Sequence, residues 1–486
     1  MVFSSHLFLY YFLPLALLIY YALPRRGKHL GLTVLSYLFY GWANPLFVAL
    51  MLTSTVIDYI CGLAMTGQLR SGAWPRPVPL LEKDGPRSRG QKLALAVSIC
   101  TNLSLLGFFK YFNLAAESYD GIVSAIGLPG LSLDLAFKIT LPLGISFYTF
   151  QSMSYSIDVY RGDARAIRHF IDFACYVSMF PQLVAGPIIR FEEVAGQLRH
   201  RTYTAEKFAR GVSFFCLGIA KKILLANVCG KVADMVFDAG SAGFADSWYG
   251  AVAYAFQIYF DFSAYSDMAV GLGLMLGFVF PKNFDSPYRS ASITEFWRRW
   301  HISLSYWLRL YLYYPLGGSL KGAGRTYVNL AVVMLLGGLW HGASWNFVIW
   351  GAIHGAVLIF ERTQGKDSIC RNLPRPLKVA ITFAIVCFAW VFFRASDLPS
   401  ALQYCGSMLG VKGAWGGAGL VGGLIHQPYY VLFFAVAAVV TWACPQTWDW
   451  TRKITLTKAA AIFALLCYSL AVLTTQSFNP FIYFIF

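Results

Sequence analysis

The strongest constraint in this chain is its succession of long apolar runs. Residues 2–23, 30–65, 93–112, 137–159, 170–189, 208–228, 248–280, 328–360, 376–393, 429–444 and 459–473 all meet or approach the length of a membrane span. Such a span needs ~20 predominantly apolar residues. The run 30–65 reads as two segments bent near Asn44-Pro45. The expectation is an all-α, polytopic integral membrane protein with about 11–12 transmembrane helices. Composition closes off the alternatives. Only 13% of the residues are charged and 57% are hydrophobic, whereas soluble domains carry ~25% charged residues. That excludes disorder, a low-complexity fibre and a small disulfide scaffold. It also argues against an ordinary soluble enzyme, which could not hide so much apolar surface.

The net charge of +16 would suggest nucleic acid in a soluble protein. Here the cations sit in short loops between apolar runs. Arg25, Arg26 and Lys28 form one set, and Arg70, Arg76, Lys83, Arg87, Arg89 and Lys92 another. Further clusters occupy 190–210, 282–325 and 362–378, while 111–137 and 232–281 hold no Lys or Arg. Basic loops stay cytoplasmic, so this is a topology signal, and no nucleic-acid partner is expected. The ten cysteines are scattered without a CxxC pair, so neither a disulfide framework nor a metal site is expected. Residues 2–23 lack a basic leader and read as a retained first span. The chain is taken as one membrane domain over 1–486. Its parts include a flexible cytoplasmic loop at 70–92, a basic interfacial region at 282–325 and a helix over 326–361. The Gly-rich 411–426 reads as an irregular outer or re-entrant loop. No internal repeat is seen, which weakens a transporter built on duplicated halves.

Three stretches carry chemistry. In 292–314, Ser292 and Glu295 form a capping-box pattern that predicts a helix start. Trp300, Leu304, Trp307 and Tyr311 recur as one stripe, with Arg298, Arg299 and Arg309 off it. This segment is too polar to span and fits the interface. It is either an anchor with snorkelling arginines, or His301 and the arginines line an entrance for an anionic acyl carrier. In 326–361, His341 sits in an apolar run among Gly337, Gly338 and Gly342. An ionisable residue at membrane depth is costly and hence a functional candidate. The glycines either permit close helix packing or open room beside the imidazole. Imidazole suits acyl transfer, which needs a base near neutral pH to take a hydroxyl proton. On a straight helix His354 stands about 20 Å from His341, so it cannot share the site unless the helix breaks. In 256–277, Asp261 and Asp267 lie in an apolar run. They either brace helices or face a cavity. HExxH, P-loop and G-x-S-x-G motifs are absent.

These stretches together resemble the membrane-bound O-acyltransferase family, in its bacterial branch of polysaccharide O-acetyltransferases. The resemblance runs from Met-Val-Phe-Ser-Ser (1–5) through Pro-Leu-Gly-Ile-Ser-Phe-Tyr-Thr-Phe-Gln (142–151), Phe-Pro-Gln-Leu-Val-Ala-Gly-Pro-Ile-Ile-Arg (180–190) and Asp-Phe-Ser-Ala-Tyr-Ser-Asp-Met-Ala (261–269). It is densest over 283–318 and 337–355, and ends at Asn479-Pro480-Phe481. The resemblance implies a ring of helices around a central tunnel, His341 as the catalytic histidine and His301 as the second signature residue. Trp340, Trp297, Trp300, Arg298, Arg299, Asp261, Asp267 and Tyr265 are the candidates for the tunnel lining. It further implies an acetyl thioester donor, acetyl-CoA or an acyl carrier protein, and no metal. Expected surroundings are the bacterial inner membrane and its lipid. Expected partners are periplasmic acetyltransferases and a polysaccharide synthesis and export complex. The chain departs from the alginate type at Trp307-Leu308-Arg309-Leu310-Tyr311, which lacks an Asp after the arginine, and at Ser319-Leu320-Lys321. Two other readings stand beside it: a transporter or flippase with Asp261 and Asp267 as a proton relay, and a scaffold in which His341 only packs.

Overall fold

The computed structural model describes residues 1–69, 78–83, 85–135, 137–184, 186–239, 242–365, 372–411, 419–476 and 478–482. Part of the 70–92 loop, the Gly-rich stretch 412–418 and Cys370 lie outside them. Every regular element among the described residues is helical. Among the described residues, five helical stretches are long and apolar enough to cross a membrane: Pro45–Met65, Arg89–Ala125, Ala205–Phe237, Arg375–Arg394 and Leu456–Thr475. Phe8–Ala22 and Pro428–Trp442 are apolar but shorter. Further apolar runs fall on helices that are shorter or more polar than these.

The described residues group into two compact units. The first comprises Met1–Phe208 with Gly273–Phe280. Within it the expected bend at Asn44-Pro45 is a true break: helix Lys28–Gly41 ends and Pro45–Met65 begins. The Asn44 side chain accepts from the Leu46 amide at 3.0 Å, and Pro45 occupies a first-turn position where no amide donor is needed. Helices Pro45–Met65, Arg89–Ala125 and Ile145–Arg161 pack together. Their interface holds Asp58, which accepts from Ser98 Oγ at 2.6 Å and Asn102 Nδ2 at 2.9 Å.

The second unit comprises Ala209–Leu272 and Pro281–Phe486. Its core is aromatic, with Trp300, Trp350 and Trp390 fully buried. Trp390 Nε1 donates to the Tyr288 hydroxyl at 3.1 Å, and that hydroxyl donates to the Ala255 carbonyl at 2.7 Å. The polar tips of Trp390 and Tyr288 are thus satisfied, as burial favours. The single helix expected over 326–361 is two helices, Ala323–His341 and Trp345–Gln364, packed against each other. The chain extends at Gly342 (φ −159°, ψ 156°) and turns back. Hydropathy does not register a three-residue turn inside an apolar run.

Candidate active site

His341 is the last residue of helix Ala323–His341. It is buried among three rings, with centroids 5.0 Å from Trp340, 5.1 Å from Trp350 and 5.3 Å from Phe393. Its glycines divide the two expected roles. A Cβ on Gly338 would run into the Phe347 carbonyl, and one on Gly342 into the Phe347 ring. These two allow the helices to approach closely. A Cβ on Gly337 would meet only Leu308, at 3.7 Å. Gly337 borders a cavity of about 460 Å³ that His341 also lines.

The cavity gives the imidazole its surroundings. Buried Trp350, Leu304 and Met334 line it beside His341, while exposed Arg298, Arg309, Tyr314 and Ser319 line it where it meets solvent. The lining thus combines buried apolar side chains with exposed cationic and polar ones. That combination suits a ligand with an anionic body and an apolar or neutral reacting end. Trp297 also lines the wall.

His301 is placed by a kink. The helix started by Ser292, whose Oγ accepts from the Glu295 amide at 3.0 Å, ends after Arg299. His301 takes a left-handed conformation, φ +42°, and a second short helix, Ile302–Leu308, follows. A continuous helix was expected here. For a non-glycine residue the left-handed region is unfavourable, so neighbours must hold it. Asn283 does so. Its carbonyl accepts from the Ile302 amide at 2.9 Å, and its Oδ1 accepts from the Ser303 amide at 3.2 Å and Ser303 Oγ at 2.9 Å. The same Oδ1 lies 3.3 Å from His301 Nδ1. That contact assigns the proton to Nδ1 and leaves Nε2 as the acceptor. His301 is not on the cavity wall. It reaches His341 through Trp340, whose indole is 6.2 Å from the first imidazole and 5.0 Å from the second.

His354, set apart by the straight-helix argument, comes to lie against Trp350 of the cavity wall because the helix breaks. It packs on Trp350 at 4.9 Å and accepts at Nδ1 from Trp297 Nε1 at 3.4 Å. His301 Nε2, His354 Nε2 and Trp350 Nε1 are buried without a hydrogen-bond partner among the described residues. Buried polar atoms are seldom left so, and each needs an explanation.

Other candidates lie off this wall. Asp261 forms an ion pair with Lys222 at 2.6 Å and accepts from the Ile482 amide at 2.8 Å. Asp267 takes Lys221 Nζ and Thr447 Oγ1, each at 2.7 Å. Tyr265 stacks on Phe481 at 4.1 Å. Trp300 packs on Phe296 and Trp390. Arg299 pairs with Glu295 at 2.9 Å, whereas its neighbour Arg298 lines the cavity. None of Asp261, Asp267, Tyr265, Trp300 and Arg299 lines this cavity; each makes its contacts elsewhere, and Asp267 borders a separate small cavity. Sequence reasoning passed over Lys222, Asn283, Trp350 and Phe393. Lys222 and Asn283 carried a signal, as polar residues in or beside apolar runs. Among the described residues no three of His, Cys, Asp and Glu gather as a metal-binding set.

Comparison with known proteins places this geometry. The family model for membrane-bound O-acyltransferases matches residues 163–395. The chain is 42% identical to a probable alginate O-acetylase of Pseudomonas putida, over the whole of both chains. It is 46% identical to a probable alginate O-acetylase of Pseudomonas aeruginosa, covering 85% of this chain and 76% of the relative. It is 35% identical to a peptidoglycan O-acetyltransferase of Helicobacter pylori, covering 85% and 80%. The two helices that bring His341 to its cavity fall within the matched region, and the chain belongs to the membrane-bound O-acyltransferase family as a multi-pass acyltransferase.

Proposed function

We propose that this protein is an O-acetyltransferase that passes acetyl groups, destined for a cell-surface polysaccharide of the alginate type, from a thioester donor to a hydroxyl. The observation that carries the reading is the cavity itself, with a buried histidine among its apolar side chains and exposed arginines in its lining. The names of the relatives supply the acetyl group and the polysaccharide.

The acceptor oxygen attacks the thioester carbonyl, the carbon–sulfur bond breaks, and the thiol leaves. His341 takes the hydroxyl proton as general base and returns it to the departing sulfur. The rings of Trp340, Trp350 and Phe393 keep water off the imidazole, which protects the thioester from hydrolysis. Arg298 and Arg309 attract the phosphates of an acetyl-CoA or carrier-protein donor arriving from the cytoplasm. Asn283 and Trp340 fix His301 behind the reacting imidazole as a positioning residue. Periplasmic acetyltransferases at the inner membrane then take the acetyl group from that first ester, freeing its hydroxyl, and pass it to a hydroxyl of the polymer.

The test is a membrane assay with acetyl-CoA and with acetylated carrier protein, following free thiol and polymer ester together. Thiol release that disappears in His341→Ala at matched protein level supports the reading. Ester formation undiminished in that variant overturns it. Donor uptake without thiol release would indicate transport.

A further inference from the structure

The first unit holds a second, larger cavity of about 1170 Å³. Its wall brings together Arg25, Arg26, Arg168, Arg199 and Arg201 from three separate parts of the chain. Asp172 is the one carboxylate among the described residues lining it, and it is held by His29 Nδ1 at 2.6 Å. A bias of basic loops toward one face of a membrane needs only a count of cations. It does not require them to converge on a concave surface, where they repel one another.

Two of the cations are also fixed in place by neutral groups. Arg201 donates from Nε to the Tyr203 hydroxyl at 2.8 Å and from Nη2 to the Tyr20 hydroxyl at 2.9 Å. Its Nη1 lies 2.7 Å from His29 Nε2. Arg25 Nη2 donates to the Arg199 carbonyl at 3.1 Å and sits 3.1 Å from His200 Nδ1. These contacts set the geometry without cancelling the charge. Nearby Lys28 registers the crowding: desolvation, and then the charge of Arg201, hold its ammonium below the usual lysine range.

We propose that this cavity binds a phosphate-bearing anion. Guanidinium forks match phosphate oxygens in pairs, and the volume exceeds what a single inorganic phosphate fills. The wall also carries Leu30 and Ile171, which are 50% and 41% exposed. Apolar side chains beside a cationic pocket suit an amphiphile, so an anionic phospholipid headgroup is the favoured source and a soluble polyphosphate the other.

The test uses the purified full-length protein in neutral detergent, with melting temperature as the readout. The probes are dioleoylphosphatidylglycerol, dioleoylphosphatidylcholine and inorganic pyrophosphate. Phosphatidylglycerol is expected to raise the melting temperature by a few degrees and phosphatidylcholine is not. In Arg25→Gln/Arg26→Gln/Arg199→Gln the apparent affinity should fall on the order of 100-fold, from about fivefold per arginine. Arg89→Gln/Lys92→Gln/Lys453→Gln removes exposed charges elsewhere and should bind like wild type. If the first triple variant does not fold, Arg199→Gln alone should give the fivefold loss. A rise with pyrophosphate alone upholds the phosphate site and assigns it to a soluble ligand. No anion-dependent rise in wild type, or an equal loss in the control variant, overturns the proposal.

Discussion

His341 and His354 both pack edge-on against the indole of Trp350, with centroids 5.1 and 4.9 Å away. Residues that a straight helix would hold about 20 Å apart thus share one aromatic neighbour. The turn at Gly342 makes this possible.

Replacing His341 with alanine should lower thiol release and polymer ester by about 10²–10⁴-fold, the usual worth of a positioned general base. Protein level in the membrane should stay near normal. The check is a paired assay of thiol and ester at matched expression. Retention of both products would leave His341 a packing residue.

His354→Phe and His354→Ala separate packing from chemistry. His354 is fully buried and stacks on Phe296 at 6.0 Å. The alanine variant should lose about 2–4 kcal/mol of stability from the cavity it leaves. The phenylalanine variant keeps the ring, so its melting temperature should stay closer to wild type. Its turnover should fall less than tenfold. Equal and complete loss of turnover in both variants would move His354 into the chemistry.

Asn283→Ala should release the kink at His301. The Ser303 donors lose their acceptor, at about 1–3 kcal/mol, and the left-handed residue loses its anchor. Turnover should drop with the melting temperature, and Asn283→Asp, which keeps the acceptor oxygen, should restore much of the turnover. Full activity in Asn283→Ala would detach His301 from the reaction.

Neighbouring glycines should respond differently. Gly338→Ala puts a methyl into the Phe347 carbonyl and should lower folded protein sharply, whereas Gly337→Ala meets only Leu308 and adds its methyl beside the cavity. The second variant should accumulate normally with impaired acyl transfer. Fluorescence-detected size exclusion and the thiol assay distinguish these outcomes. Normal folding of Gly338→Ala would contradict the close helix approach.

Lys222 and Asp261 are 1% and 2% exposed. Removing either partner strands the other, at about 3–5 kcal/mol. Lys222→Met combined with Asp261→Leu should recover much of that loss. Thermal melts of the two single variants and the double variant form the cycle. A double variant as unstable as the singles would argue that the pair does more than brace the unit.

Much of the helical architecture was legible because lipid demands long apolar helices, and the Asn44-Pro45 break because both residues carry their own geometry. Ser292 likewise announced its cap, although Glu295 closes onto the Ala291 amide at 2.8 Å in place of the Ser292 amide. His301 was less legible. The stripe of Trp300, Leu304, Trp307 and Tyr311 runs past it at helical spacing, and a histidine carries no mark of a left-handed backbone. The Asp261–Lys222 pair was hidden for another reason. Its partners are close only after folding, so the carboxylate looked exposed to function while the ammonium that neutralises it went unnoticed. Much the same holds for His354, whose place depends on a turn that hydropathy averages away.

The indole between His301 and His341 has a consequence for proton traffic. A relay moves protons only through links that both give and accept, as water, hydroxyls and imidazole do. An indole nitrogen gives and cannot accept. Trp340 is therefore an insulator in the path that its ring occupies. A proton taken up at His341 cannot pass along that path to His301, and stays beside the bond being made and broken.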